Sequence, residues 1–376
     1  MRLGDICSKI GSGATPRGGK EAYSASGIPI IRSQNVLDWS FSSNGLAYLN
    51  DEQARTLSNV EVHQGDILLN ITGDSVARAC IVPSDVIPAR VNQHVAILRP
   101  KEKANATFIL AWLQTNKDLL LKLASSGATR NALTKRMLEG LDINLPSIDI
   151  QNHIAALISL IQSKINLNIK LNGYLLELAT TRFEQALFKS NRVVRLGDIV
   201  KLEDSKRVPL NSRDRDARKG PYPYYGATSI MDYVDDYLFD GIRVLLGEDG
   251  SVIDESGRPI LQYVWGKYWV NNHAHILAAA SDYSLEAIYI ALQRTPISHI
   301  VTGAVQRKIS QRNLNKLKLE MPDAKSLEYL QDIFAAYRCN CEENRGLVSL
   351  RDALLPKLMS GEIDVSKIDV AQLNSH

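Results

Sequence analysis

Short apolar or alternating runs recur along residues 1–146 and return over 194–322, separated by Gly, Pro, Asn and Asp. GDILLNI at 65–71 and VAILRP at 95–100 belong to the first stretch, IRVLLGE at 242–248 and YWVNNHAHIL at 268–277 to the second. Runs of this length and period predict strands joined by turns. One helical stretch interrupts each series, at 106–125 and at 284–295. Each globular part therefore reads as mixed α and β.

A different period starts after Pro146 and again after Pro322. In the first segment Ile154, Ile158, Ile161 and Ile165 follow 4-3-4 spacing and continue at Leu175, with Gln151, Lys164 and Glu177 off the stripe. The second offers Leu330, Phe334, Tyr337 and Cys341, then Val348, Leu355 and Leu358. Such stripes predict two helices of about 35 residues, about 50 Å long, with a coiled-coil seam. Asn168 and Asn344 fall at equivalent places in that seam, where a polar residue fixes register at some cost in stability.

The two halves also repeat in sequence. RLGDI stands at 2–6 and at 195–199. VNQHVAIL at 91–98 matches VNNHAHIL at 270–277, and GATRNALTKRMLEGLDINLP at 127–146 matches GAVQRKISQRNLNKLKLEMP at 303–322. Three matches in one order mark a duplication. RLGDI is expected to be the short strand or turn that opens each domain. The expected fold is α+β: two similar mixed α/β domains separated by two long helices that form an antiparallel coiled coil, with pseudo-twofold symmetry. The boundaries are domain one at 1–146, helix one at 147–190, domain two at 191–322, helix two at 323–361 and a tail at 362–376.

Bulk properties fit this picture. A chain of 376 residues, 45% hydrophobic and 23% charged, has room for two cored domains. The most apolar stretches, such as Ile154–Leu171, broken by Gln162, Lys164 and Asn166, fall short of a spanning run, and MRLGDICSK lacks an apolar signal core, so a cytoplasmic location without membrane contact is expected. Four cysteines make no disulfide framework, and Cys339-Asn340-Cys341 has no second pair at zinc spacing, so no metal site is expected. The net charge of +3 hides a local cluster, SKRVPLNSRDRDARKG at 205–220, with six Lys or Arg.

No catalytic constellation emerges. GSGATPRGGK at 11–20 fails the phosphate-loop pattern, since Ala14 stands where the first glycine belongs and Glu21 where Ser or Thr would hold magnesium. The methyltransferase signatures N-P-P-Y and D-P-P-Y, the G-x-S-x-G elbow and H-E-x-x-H are missing. Asp323-Ala324-Lys325 reads as a helix start with Asp323 as N-cap, and the equivalent His94 and His273 read as strand-end hydrogen-bonding residues. No catalytic residue is assigned.

The order of these parts, with LLPKLMSGEI at 354–363 closing the second helix, resembles the specificity subunit of type I restriction-modification enzymes. YPYYGATSIMDYVDDYLFDG at 222–241, VLLGEDGSV, GKYWVNNHAHIL and GAVQRKIS are similar to that family's target recognition domain. GSGATPRGG, GIPIIRSQNV, GDILLNITG and VNQHVAIL are similar to another branch of it. The resemblance implies a non-catalytic subunit that reads a bipartite, asymmetric target in double-stranded DNA through two domains held apart by a coiled-coil ruler. It implies two modification (methyltransferase) subunits and restriction (motor-nuclease) subunits as partners. It also implies no cofactor on this chain, with S-adenosylmethionine, ATP and Mg on the partners.

Base reading needs Arg, Lys, Asn or Gln at groove edges, and phosphate contacts need positive charge. The candidates are Arg17, Lys20, Arg32, Arg78, Arg130 and Arg136 in domain one, and Lys206, Arg207, Arg213, Arg218, Arg307, Lys308 and Arg312 in domain two. Two other readings use the same architecture: a non-catalytic coiled-coil scaffold, and a DNA-binding subunit of another anti-phage system. A scaffold leaves the basic loops unexplained.

Overall fold

The computed structural model describes residues 1–16, 18, 22–125, 131–303 and 306–366. Two compact units emerge, one of Met1–Leu167 with Glu343–His376 and one of Asn168–Glu342. Each therefore owns a stretch of both long helices.

In the first unit, Cys7–Ser12, Val95–Pro100, Ile67–Asn70 and Ala79–Ile81 lie side by side in that order, all antiparallel. A second sheet runs Ala47–Leu49, Ile28–Ile31, Ala89–Val91, Glu61–Val62, with the middle pair parallel. The GDILLNI run is apolar on both faces because it is sandwiched. Ile67 and Leu69 join a core with the helix Ala106–Thr115, while Leu68 faces Cys80, Val95 and Ile97 in another core.

The second unit repeats this plan. Val200–Leu202, Ala274–Ala279, Arg243–Gly247 and Leu261–Val264 form the antiparallel sheet, and Ile230–Val234, Lys219–Tyr225, Lys267–Val270 and Phe239–Asp240 form the one with a parallel pair. Val244 and Leu246 face one core and Leu245 another. Strand order, direction and two-sided burial thus recur across the duplication.

Several expectations need correction. The 106–125 helix is two helices, Ala106–Thr115 and Lys117–Ser125. Asn116 separates them, its side-chain amide donating to the Trp112 carbonyl at 2.9 Å and competing with the helical ladder. YWVNNHAHIL is two strands with a turn at 271–273. In RLGDI only the arginine is extended, Arg195 ending the strand Arg192–Arg195 and Arg2 bridging Asp142, and the rest is one turn of helix, Leu3–Ile6 and Leu196–Ile199, with Leu3, Ile6, Leu196 and Ile199 buried. In each copy its first amide is taken by a distant carbonyl, Leu3 N–H to Leu141 O and Leu196 N–H to Leu317 O, both at 2.8 Å.

The first long helix, Ile148–Lys189, has 42 residues and is about 63 Å long; the second, Tyr329–Ser360, has 32. The second starts late because Ala324–Leu327 forms a separate 3-10 turn. Asp323 makes no side-chain cap there and pairs instead with Arg192 at 3.4 Å. In the first unit Ile154, Ile158, Leu355 and Leu358 complete one core, and in the second Ala179, Phe183, Leu330 and Phe334 complete another. Gln151, expected off the stripe, is buried, because it bonds the Asn105 amide and the Lys103 and Pro146 carbonyls.

Cross-helix bonds occur within each unit. In the first, Arg351 donates to Gln162 Oε1 at 2.9 Å and Asn344 to the Ile165 carbonyl at 3.3 Å. In the second, Asn172 donates to the Tyr337 carbonyl at 3.3 Å and accepts from Asn340 at 2.8 Å. Asn168 is buried, at 1% exposure. Asn172, one turn further along the same stripe, was not singled out from sequence.

Candidate nucleic-acid interface

The loops following the central strands carry the same hydrogen-bond frame in both domains. The Ile71 amide donates to the His94 carbonyl at 3.0 Å, and Glu248 to His273 at 2.8 Å. Leu133 returns to Ile71 at 2.8 Å, and Ile309 to Glu248 at 2.9 Å. Gly73 reaches the Asn131 carbonyl at 3.3 Å, and Gly250 the Arg307 carbonyl at 3.0 Å. Both glycines adopt a left-handed φ, +76° and +79°, which a β-carbon would disfavour.

This frame explains the VN-x-H motif. Asn92 Oδ1 accepts from the His94 amide at 3.1 Å, and Asn271 Oδ1 from the His273 amide at 2.8 Å, fixing the turn between two strands. The rings then part company. His94 Nδ1 bonds the Thr72 hydroxyl at 2.7 Å, whereas His273 Nδ1 bonds the Asp249 carboxylate at 2.7 Å. The expectation of strand-end hydrogen bonding thus holds for both histidines. Thr72 and Asp249 were missed, although each immediately precedes the turn glycine at the end of its apolar run.

In the first domain the frame borders a cleft of about 1000 Å³ lined by Gln34, Thr72, Asp74, Arg78, His94 and Asn131 among others. Of the candidate cations, Arg78 is exposed in this cleft. Arg32 is half-buried, donates to the Gly45 carbonyl and lies over the Tyr23 ring at 5.5 Å. Arg136 is exposed on the short helix Lys135–Glu139. Arg17, Lys20 and Arg130 lie outside the described residues, as do Gly127, Ala128 and Ala304 of the GA motif.

In the second domain Arg213, Arg307 and Arg312 are exposed. Lys206 pairs with Glu203 at 2.6 Å and Lys308 with Glu248 at 3.3 Å, both remaining largely exposed. Arg218 spans Asp235 at 2.9 Å and the Trp269 ring at 5.0 Å. Arg207 is withdrawn as a phosphate contact. Its side chain is 13% exposed and is spent on Glu248 at 2.7 Å and the Ala274 carbonyl at 2.8 Å.

Arg207 belongs to a buried network with Asp204, Glu248 and His275. His275 sits between Asp204 Oδ2 at 2.6 Å and the Ile309 carbonyl at 2.8 Å, and Gln311 also donates to Asp204. Burial works against charge on Asp204, but the hydrogen bond from His275, the Ile276 amide and Arg207 overcome it and hold the carboxyl below its usual range. Burial likewise opposes charge on Glu248, and Arg207, His275 and Lys308 reverse the effect. Three of these groups have metal-ligand types within 4.8 Å of one another. Their donor atoms already serve an ion-pair network in which Arg207 supplies the cation.

The model of the type I restriction-modification DNA specificity domain matches residues 1–175 and again 189–337. The chain belongs to this family. Members of the specificity family are DNA-recognition subunits and not catalytic ones, and the two matches give the duplication as two recognition domains. The MjaIX type I specificity subunit of Methanocaldococcus jannaschii is 22% identical over 98% of this chain and 94% of its own length. A Haemophilus influenzae relative described as a type I specificity subunit is 30% identical, over 34% of this chain and 32% of its own. The solved type I S subunit of M. genitalium shares the fold, with a TM-score of 0.54 at 15% identity over 95% of each chain. Among the described residues no helix is long and apolar enough to cross a membrane.

Proposed function

We propose that this specificity-family chain reads a split, asymmetric DNA target, one half-site per domain, and brings partner subunits to it. The observation that carries this reading is the loop frame itself. Its backbone bonds are the same in both domains, while the side chains it presents differ, Thr72 and Asn131 in one and Asp249 and Arg307 in the other. One scaffold with two sets of groove-facing groups is what reading two different short sequences requires.

The long helices serve as an antiparallel coiled-coil spacer with pseudo-twofold symmetry. In support, bonded partner numbers on the second helix fall as the first helix advances, from Arg351 at Gln162 to Asn344 at Ile165. A helix of about 63 Å exceeds the roughly 34 Å between successive major-groove faces of B-DNA. Exposed apolar residues at heptad spacing on the first helix, Leu160 and Leu167 in one unit and Leu171, Tyr174 and Leu178 in the other, support docking of partner helices. The partners are two modification subunits, which carry S-adenosylmethionine, and restriction subunits, which use ATP and Mg. This chain supplies no cofactor site, and the complex works in the cytoplasm.

Exchanging residues 194–322 for the corresponding domain of a relative tests the reading. One half of the selected DNA motif should change while the other half persists. Alteration of both halves by this single exchange would contradict independent half-site reading.

A further inference from the structure

We propose that Asp249 and Thr72, which occupy the same place in the duplicated frame, are specificity-determining residues of opposite hydrogen-bonding polarity. Asp249 reads a cytosine in one half-site, and Thr72 reads an acceptor-bearing base in the other. The inference rests on the half-site reading above and names the atoms by which it works.

The frame fixes both residues from behind. Each follows a buried central strand, precedes a left-handed glycine, and meets the Nδ1 of a histidine whose own amide is locked by the VN-x-H asparagine. Asp249 Oδ1 is the atom that His273 holds, at 2.7 Å. Its other oxygen has no bonded partner among the described residues, and the side chain is 27% exposed. A carboxylate offers acceptors only. In the major groove the amino donors are cytosine N4 and adenine N6, and adenine places the acceptor N7 beside its amino group, where it would repel a carboxylate. Cytosine presents no such neighbour.

Thr72 reverses the polarity. The Gln93 side-chain amide lies 3.4 Å from His94 Nε2; with that nitrogen accepting, the ring proton sits on Nδ1 and goes to the Thr72 oxygen at 2.7 Å. The threonine hydroxyl hydrogen is then free to donate outward, toward a purine N7, guanine O6 or thymine O4. Gln34, Arg78 and Asn131 line the cleft around it. The same backbone therefore presents an acceptor in one domain and a donor in the other.

The test is selection of the full-length chain on a randomised DNA duplex pool, for wild type, Asp249→Asn and Thr72→Asp. Asp249→Asn keeps the shape and replaces one oxygen by an amide donor. It should lower the cytosine preference at one position of one half-site by roughly tenfold in favour of bases that carry a major-groove acceptor, a purine or thymine, leaving the other half intact. Thr72→Asp should bring a cytosine preference into the other half-site. A split wild-type motif that survives both substitutions unaltered overturns the proposal and leaves the half-site reading standing. Uniform weakening of all sequences by Asp249→Asn also overturns it, provided the variant's thermal unfolding matches wild type. If that variant does not fold, Asp249→Thr is read in its place, and an unchanged motif again counts against the proposal. A wild-type chain that enriches no split motif removes the underlying reading and this inference with it.

Discussion

Gly197 packs so closely on Asn315 that a β-carbon on the glycine would stand 2.9 Å from the Asn315 β-carbon and 3.0 Å from its carbonyl oxygen. The equivalent Gly4 meets Glu139 at 3.2 Å. The repeated RLGDI is thus a docking turn that seats each domain's entry on the short helix before the spine, and its glycine is a steric requirement. Gly197→Ala should cost roughly 1–3 kcal/mol by overpacking, read as a lower denaturant midpoint, and Gly4→Ala should cost less.

Phe183 and Phe334 are buried, at 0% and 1% exposure, and tie the two long helices to the second domain's core. Phe334→Ala should destabilise that unit by about 3–5 kcal/mol in chemical denaturation. A change within a few tenths of a kcal/mol would mean the helix is not part of the core.

Acid should unfold the second unit through Asp204 and Glu248. Both carboxyls are held below their ordinary values of 3.8 and 4.5, so their contribution is complete above those values and is lost as pH falls through the lower, folded-state ones. The thermal midpoint should therefore be insensitive to these groups near neutrality and drop below pH 4.5. Asp204→Asn should flatten the acid limb, and a limb of unchanged slope would assign the acid sensitivity elsewhere.

Burial pushes the Cys7 and Cys80 thiols up to about 12, while Cys339 is exposed. Brief alkylation of the native chain at neutral pH should label Cys339 and spare Cys7 and Cys80, as peptide mass mapping would show. Equal labelling of Cys80 would contradict its place in the sheet.

Arg136 and Arg213 are exposed cations, whereas Arg207 is committed inward. If the first two contact phosphates, Arg136→Ala and Arg213→Ala should each reduce the log-log salt slope of DNA binding by roughly 0.9. Arg207→Ala should instead lower stability, since it removes the buried guanidinium that both Glu248 and Asp204 face.

Much of this architecture was legible because duplication preserves what packing requires. RLGDI, VN-x-H and the GA segments stand out since glycine contacts, Asx turns and buried Leu pairs tolerate few alternatives. The long helices were readable from the Ile154, Ile158 and Ile165 stripe for the same reason. Helix ends were less so: Asn116 divides one helix through a local side-chain bond, and a 3-10 turn delays another. The interface was least legible. A lysine or arginine in sequence does not reveal which acid neutralises it, so Arg207 and the exposed Arg213 looked alike. Thr72 and Asp249 escaped notice because they carry no positive charge, yet their position before Gly73 and Gly250 was present in the repeat.

The central claim is two half-sites read by two domains, and selection of the purified chain from a randomised duplex pool tests it most directly. The account predicts enrichment of two short, different motifs separated by a fixed unread spacer. Enrichment of one contiguous motif, or of none with and without a modification subunit, would contradict it.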